Sequence, residues 1–214
     1  YHFEPGGVPC FVLDTRTKRQ PRQPQAPHGA HLIDPYELPR LRKWLNEHRD
    51  APVKIIASPS FLLPLERPEL ADVEKLRLDG GSGFPATQLA ILSHVRDAGI
   101  RGVVLIGGDA HLSAVTTLAI DGGPRVVAVL RSGLYAPWPF ANARPADLLL
   151  DGPVVLHDGN GVPSLTGQSR CLALSTEQGM ATLALQPRGG GTRLRVRLCR
   201  ARGPAHDQVV DIDL

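Results

Sequence analysis

Asp109 and His111 are the pair in this chain most suited to chemistry. They follow four consecutive apolar residues, Val103-Val104-Leu105-Ile106, and then Gly107 and Gly108. An uninterrupted apolar run reads as a strand buried on both faces. The glycines are expected to stop it in a tight turn where no side chain crowds the backbone. At i and i+2 of an extended segment, two side chains point the same way. A carboxylate and an imidazole converging at the C-terminal edge of a central strand make half of a metal site. A plainer reading fits the same residues: Asp109 caps the segment that opens Leu112-Ser113-Ala114, and His111 only packs. The spacing by itself leaves both readings open.

A second candidate lies near the start. Cys10-Phe11-Val12-Leu13 is a short apolar strand that runs into Asp14-Thr15-Arg16-Thr17-Lys18-Arg19. Asp14 and Arg16 sit just beyond a buried strand, where α/β proteins place their chemistry. A salt-bridged loop is the competing reading. Histidines 28 and 31 fall in a stretch of proline and glutamine without periodicity, which reads as a surface loop.

These residues need a scaffold, and the intervening chain supplies one. Asp34-Pro35 is a helix start, with Asp as N-cap and Pro in the first turn. Leu38, Leu41 and Leu45, with Trp44 beside them, then mark the buried face of a helix to about His48. Val53–Ala57 is the next strand, ended by Ser58-Pro59-Ser60. After the glycine-dense loop Asp79–Pro85, a second helix is predicted from about Pro85 to Ala98, with Leu89, Leu92 and Val95 inward and Gly99 closing it. Strand, helix, strand, helix, strand implies an α/β unit with right-handed crossovers. Beyond it, Arg125–Leu130, Val154–Leu156, Cys171–Leu174, Met180–Gln186 and Arg193–Leu198 read as β-structure. In the last of these, Arg alternates with Leu and Val, as in an antiparallel sheet wet on one face. The plan is a single domain, 1–214, with an α/β part over about 1–120 and a β-rich part over about 121–214.

Bulk composition narrows the class. The 214 residues are 42% hydrophobic and 21% charged, which fits a globular protein. The net charge of +3 comes from scattered arginines, with no stripe suited to nucleic acid. No apolar run approaches the ~20 residues of a membrane span. Tyr1-His2-Phe3-Glu4-Pro5 is not a signal peptide, and any such signal would lie upstream of this chain. Cys10, Cys171 and Cys199 are far apart and odd in number, so they form neither a disulfide framework nor a zinc site.

Several segments together resemble the PhoD-like (alkaline phosphatase D) branch of the calcineurin-like metallophosphoesterases. Phe11–Arg19 is similar to that family's strand ending Leu-Asp-x-Arg. Trp44-Leu45 resembles its Gln-x-x-Trp-Leu helix, with Arg42 preceding the tryptophan here. Asp79-Gly80-Gly81-Ser82-Gly83-Phe84-Pro85 resembles its Asp-x-Trp-x-Gly-Tyr-Pro stretch. Gly81 stands in place of the family's Trp, and Gln88 in place of its usual Arg. Gly108-Asp109-Ala110-His111 matches its Gly-Asp-x-His motif. Ser132-Gly133-Leu134-Tyr135 with Pro137-Trp138-Pro139-Phe140 looks like a segment of bacterial members. The ordered set spans about residues 10–142.

The resemblance implies a four-layer α/β/β/α sandwich, of which this chain would hold the C-terminal half: one sheet with its helices and part of the other. It implies a metal-dependent phosphatase or phosphodiesterase in which two ions activate a water against a phosphate ester. Asp109 and His111 would be metal ligands, Arg16 would bind a phosphate oxygen, and Asp14 would orient it or reach the metal indirectly. The donor types admit Ca, Mn, Fe or Zn. The superfamily's earlier metal motifs, Asp-x-His, Gly-Asp-x-x-Asp and Gly-Asn-His-Asp/Glu, do not occur in these residues. They are expected in an upstream half of the domain. Ser58-Pro59-Ser60 stands where many members carry a histidine after the second strand. Two alternatives remain: a non-catalytic α/β module that binds a partner through the aromatic loop 134–140, and a serine hydrolase, for which no Gly-x-Ser-x-Gly elbow is present.

Overall fold

The structure is a computed structural model. It describes residues 1–23, 29–63, 65–66, 80, 83–108, 110–131, 133–135, 145–158, 162–200 and 203–214. Asp109, His28, Asp79, Gly81, Ser82 and residues 136–140 lie outside the described residues.

Thirteen strands and two α-helices are described, in the order β1 (His2–Phe3), β2 (Cys10–Val12), α1 (Glu37–Glu47), β3 (Lys54–Ser60), β4 (Leu65–Glu66), α2 (Pro85–Asp97), β5 (Val103–Gly108), β6 (Ser113–Ile120), β7 (Arg125–Leu130), β8 (Leu148–Leu149), β9 (Gly152–His157), β10 (Pro163–Ser175), β11 (Gly179–Arg188), β12 (Gly191–Arg200) and β13 (Gln208–Asp213). The large sheet has eight strands in the order β1-β2-β3-β5-β7-β6-β10-β9. β2, β3, β5 and β7 are mutually parallel. From β6 onward the sheet turns antiparallel. A second sheet is the antiparallel set β11-β12-β13.

Parallel strands need both faces covered, and the two hydrophobic clusters show how this is done. On one face, Phe11, Ile56, Val103 and Leu105 meet Leu41, Trp44 and Leu45 of α1 and Ile91, Leu92 and Val95 of α2. Each such side chain contributes about 1.5–3 kcal/mol on full burial. On the other face, Val104, Val115, Val127 and Val129 meet Leu194, Val196, Leu198 and Ile212 of the small sheet. The chain is therefore mixed α/β, with helices, large sheet and small sheet stacked in layers.

The sequence reading needs local corrections. α1 begins at Glu37 rather than at the Asp34-Pro35 pair. Asp34 instead holds a turn ahead of it, its carboxylate accepting the Tyr36 N–H at 2.7 Å and its carbonyl the Glu37 N–H at 2.9 Å. β3 does not end at Ala57 but runs through Pro59 to Ser60, with a register shift against β5 at that point. Proline cannot donate to the ladder, so a bulge is where a strand tolerates it. Gly107 and Gly108 do not stop their strand either; they are its last two residues.

One buried charge seals the base of the sheet. Lys54 is fully buried, and its Nζ donates to the carbonyls of Arg49 at 3.2 Å, Ala51 at 2.8 Å and Arg101 at 2.6 Å. These carbonyls belong to the turn before β3 and the turn before β5, so one ammonium closes both. Burial lowers the Lys54 pKa from 10.5 to about 8, with Asp50 pulling the other way. The unfolded chain thus keeps a proton that the folded chain has lost between about pH 8 and 10.5. In that window the group's contribution to stability rises with pH. Lys54→Met leaves three carbonyls unpaired and is expected to cost roughly 1–3 kcal/mol. Urea melts of both proteins across this window are expected to show the gap widening as pH rises. A constant gap would mean that Lys54 is not a buried amine.

Candidate functional site at the strand-end rim

β2, β3 and β5 are parallel neighbours, so their C-terminal ends open on one edge. Asp14 and His111 follow the ends of β2 and β5, and Ser60 is the last residue of β3. β3 lies between the other two strands, so the axes of β2 and β5 are about 10 Å apart. Asp14 and His111 share a rim but are not in contact through their strands.

The Asp14 side is a tight turn. The Asp14 carboxylate accepts the backbone N–H of Arg16 at 3.0 Å and of Thr17 at 2.8 Å. Hydrogen bonds from Thr17 and Arg16 hold its pKa below the usual carboxylate value. The Asp14 N–H in turn donates to the Glu37 carboxylate at 3.1 Å. Burial raises the Glu37 pKa. The turn is thus fixed to the start of α1, and it sets where the Arg16 side chain leaves the backbone. A groove of about 650 Å³ runs between this turn, β1 and α1; Asp14 lines it, whereas Arg16 and His111 do not.

Below the turn is a polar knot that the sequence reading did not single out. Thr15 and Ser60 are buried, with their hydroxyls 3.3 Å apart. Arg19 donates from Nε to the Thr15 carbonyl at 2.9 Å and from Nη2 to Ser60 Oγ at 3.1 Å. Its guanidinium stands 5.2 Å from the centre of the buried Phe84 ring, and that of Arg22 stands 4.7 Å from it. Cation–π contact of this kind suits arginine. Together these bonds tie the loop after β2, the end of β3 and the entry to α2. The signal available in sequence was the second arginine after Asp14 and the Phe before Pro85. Gln88 does not face an open rim: it is buried, and its Nε2 donates to the Leu62 carbonyl at 2.6 Å.

The His111 side is built from the core outward. Ala110 and Leu112 are fully buried in a small cluster with Phe61, Ala114, Leu130 and Leu148. Both neighbours of His111 are therefore drawn inward, and the chain must reverse between them. His111 does so at φ +57°, the one non-glycine residue with positive φ among those described. The segment after His111 is a strand, β6, which opens at Ser113. Beside this turn Arg131 donates from Nη1 to Ser113 Oγ and from Nη2 to the Cys199 carbonyl at 3.1 Å. Burial lowers the Arg131 pKa. Arg131 thus ties the rim to the small sheet.

Among the described residues, no three His, Cys, Asp or Glu side chains lie together as a metal ion would need. The expected pair, one carboxylate and one imidazole, is chemically suited to a metal but too small for a two-ion centre. Of the aromatic loop, Leu134 and Tyr135 are exposed.

A model of the PhoD-like phosphatase family matches residues 2–132, more than half of the chain. The chain belongs to the PhoD-like phosphatase family. Among solved structures, one described as "Structure of PhoD" matches with a TM-score of 0.67 and 14% identity, over 98% of this chain. The match covers 40% of that chain, so this chain spans well under half of the solved protein's length. At this identity the likeness bears on the fold alone, and the fold agrees. No curated protein matches the chain. Among the described residues, no helix is long and apolar enough to cross a membrane.

The glycines of β5 offer a direct test of how the rim is held. A Cβ at Gly107 would stand 2.9 Å from the Phe61 Cα, whereas at Gly108 its nearest neighbour would be the Arg131 carbonyl at 3.8 Å. Gly107→Ala is expected to lower stability by roughly 1–3 kcal/mol, since backbone must move. Gly108→Ala is expected to be nearly neutral in the same thermal melts. Equal effects would show that the Phe61 segment does not press on β5.

Proposed function

We propose that this chain supplies one side of a metal-dependent phosphoesterase site that acts on phosphate esters. Asp109 and His111 are two of the metal ligands. Arg16 binds a phosphoryl oxygen, and Asp14 fixes the turn that aims it. When bound, the metal supplies an activated water and neutralises phosphoryl charge. The remaining ligands come from a part of the domain that these residues do not include. The observation that most supports this reading is the His111 backbone. A left-handed conformation costs a residue with a Cβ on the order of 1–2 kcal/mol, and such strain gathers at functional sites. Glycine would adopt this backbone without that cost, so a histidine kept there points to a use for its side chain.

Strain and ligation separate cleanly by substitution in the complete domain. His111→Ala and His111→Gly are both expected to lose metal content and phosphoesterase activity together. His111→Gly relieves the backbone and is expected to melt no lower than the wild type. Asp109→Asn keeps shape, removes charge, and is expected to weaken metal affinity. Metal analysis, melting and turnover on the same preparations decide the matter. A His111→Gly protein with full metal content and activity would overturn the ligand assignment.

The 214-residue chain alone is expected not to turn over an aryl phosphate with any of Ca²⁺, Mn²⁺, Fe³⁺ or Zn²⁺. Two ligands do not hold the ions such a reaction needs. Metal-dependent turnover at ordinary enzyme rates would show that the chain carries the whole site.

A further inference from the structure

Asp14 is framed by fixed neighbours. Leu13 and Thr15 are buried, and Asp14 between them is exposed. The N–H groups at this strand end turn alternately to the two sides, as in any ladder. The Val12 N–H donates to the Tyr1 carbonyl at 2.8 Å, and the Leu13 N–H to the Ala57 carbonyl at 2.9 Å. The Asp14 N–H goes to a side chain instead. It donates to the Glu37 carboxylate, 3.1 Å from Oε1 and 3.3 Å from Oε2. The Asp14 carboxylate in turn accepts the N–H groups of Arg16 and Thr17. One chain of hydrogen bonds thus runs from Glu37 through Asp14 to the backbone of Arg16.

Glu37 is itself held. It is the first residue of α1, and its N–H donates to the Asp34 carbonyl at 2.9 Å. Leu32 and Ile33 before it, and Leu41, Trp44 and Leu45 after it, are buried in the main cluster. The positive end of the helix dipole favours a carboxylate at that place. Among the described residues, the Asp14 N–H is the one donor to this carboxylate. Glu37 is half-buried, and burial raises its pKa. The fold therefore keeps a partly desolvated carboxylate in order to hold a single N–H. Water serves the N–H of an ordinary exposed turn. A turn that must aim the side chain two positions on needs a fixed acceptor.

We propose that Glu37 is a positioning residue for phosphate binding: it touches no substrate, and by holding the Asp14 N–H it fixes the direction in which Arg16 leaves the rim. The proposal rests on the reading that Arg16 binds a phosphoryl oxygen. A guanidinium binds phosphate through a planar fork, so its affinity depends on the backbone that aims it. Charge and positioning have opposite signs here. A carboxylate near the rim repels a phosphate. Were Glu37 only a charge, its removal would strengthen phosphate binding. Because it is a clamp, its removal weakens binding.

The test uses the 214-residue chain, inorganic phosphate at constant ionic strength as the probe, and the Arg16 Nε–H signal followed by NMR. In the wild type, phosphate is expected to shift that signal saturably. Glu37→Ala is expected to weaken binding about tenfold, the usual scale when a group that orients a ligand from behind is removed. Its Thr17 amide is expected to exchange faster with solvent, while the amides of α1 beyond the first turn keep their protection. Glu37→Met, of similar length and without an acceptor, is the second variant, so a folding failure of one leaves the other. Glu37→Gln keeps an oxygen for the Asp14 N–H and loses the charge; it is expected to recover most of the lost affinity. Binding by Glu37→Ala and Glu37→Met as tight as the wild type's, or tighter, would overturn the proposal and leave the Arg16 reading standing. No response at Arg16 in the wild type would overturn both.

Discussion

Parallel pairing of β2, β3, β5 and β7 is the constraint on which the rest depends. It forces each connection to cross back over a face of the sheet, and in the first two crossings that connection carries α1 and α2. It also sends every strand's C-terminal end to the same edge. Asp14, Ser60 and His111 are far apart in sequence and meet at one rim for this reason alone. The switch to antiparallel pairing at β6 has the complementary effect. The chain leaves the rim directly after His111 and runs back down the sheet without a helix. The turn that holds His111 is therefore short, and both its flanks are anchored in the core.

Burying polar groups is the cost of so compact a rim, and each buried group is given partners from two elements. Lys54 closes the turns before β3 and β5 from below. Arg131 joins β6 to the end of β12 beside the rim. Arg19 joins the loop after β2 to β3. In each case a long cation reaches carbonyls or hydroxyls that no ladder satisfies, which is what a buried backbone oxygen requires. These cations hold loops rather than substrates. Arginine after an apolar strand is thus an ambiguous signal: Arg16 and Arg19 stand three residues apart, and Arg19 is committed to the scaffold.

The two helices and most of the long strands were legible because their signals are periodic, whereas β6 and β13 carried no pattern that marked them as strands. Leu41, Trp44 and Leu45 on α1, and Arg193 to Leu198 on β12, lie on the faces their spacing predicts. The shared edge of the strand ends was legible too, since strands joined through crossover helices run parallel. What failed was punctuation. Pro59 and Gly107 look like strand ends, but Pro59 sits at a register shift and Gly107 makes room for the Phe61 backbone. Each is explained by a neighbour distant in sequence, which no local window contains. The knot of Thr15, Ser60, Arg19 and Phe84 was illegible for the same reason. The small sheet's place over β7 rather than over β3 depends on long-range packing, and nothing in β11 to β13 states it.

The strain at His111 is affordable because the His111 turn and the two large clusters are separate. The two large clusters that stabilise the fold lie on the two faces of the sheet, and one of them reaches the Asp14 side of the rim at Leu13 and Phe84. The small cluster of Phe61, Ala110, Leu112, Ala114, Leu130 and Leu148 lies just under it. It pins both neighbours of His111, so the left-handed turn is imposed by packing and does not wait for a ligand. Under the proposed ligand role, the His111 backbone is already set before a metal binds. Preorganisation of this kind lowers the entropy lost on binding, and under the proposed function it would let this side of the site keep its shape until further ligands meet it.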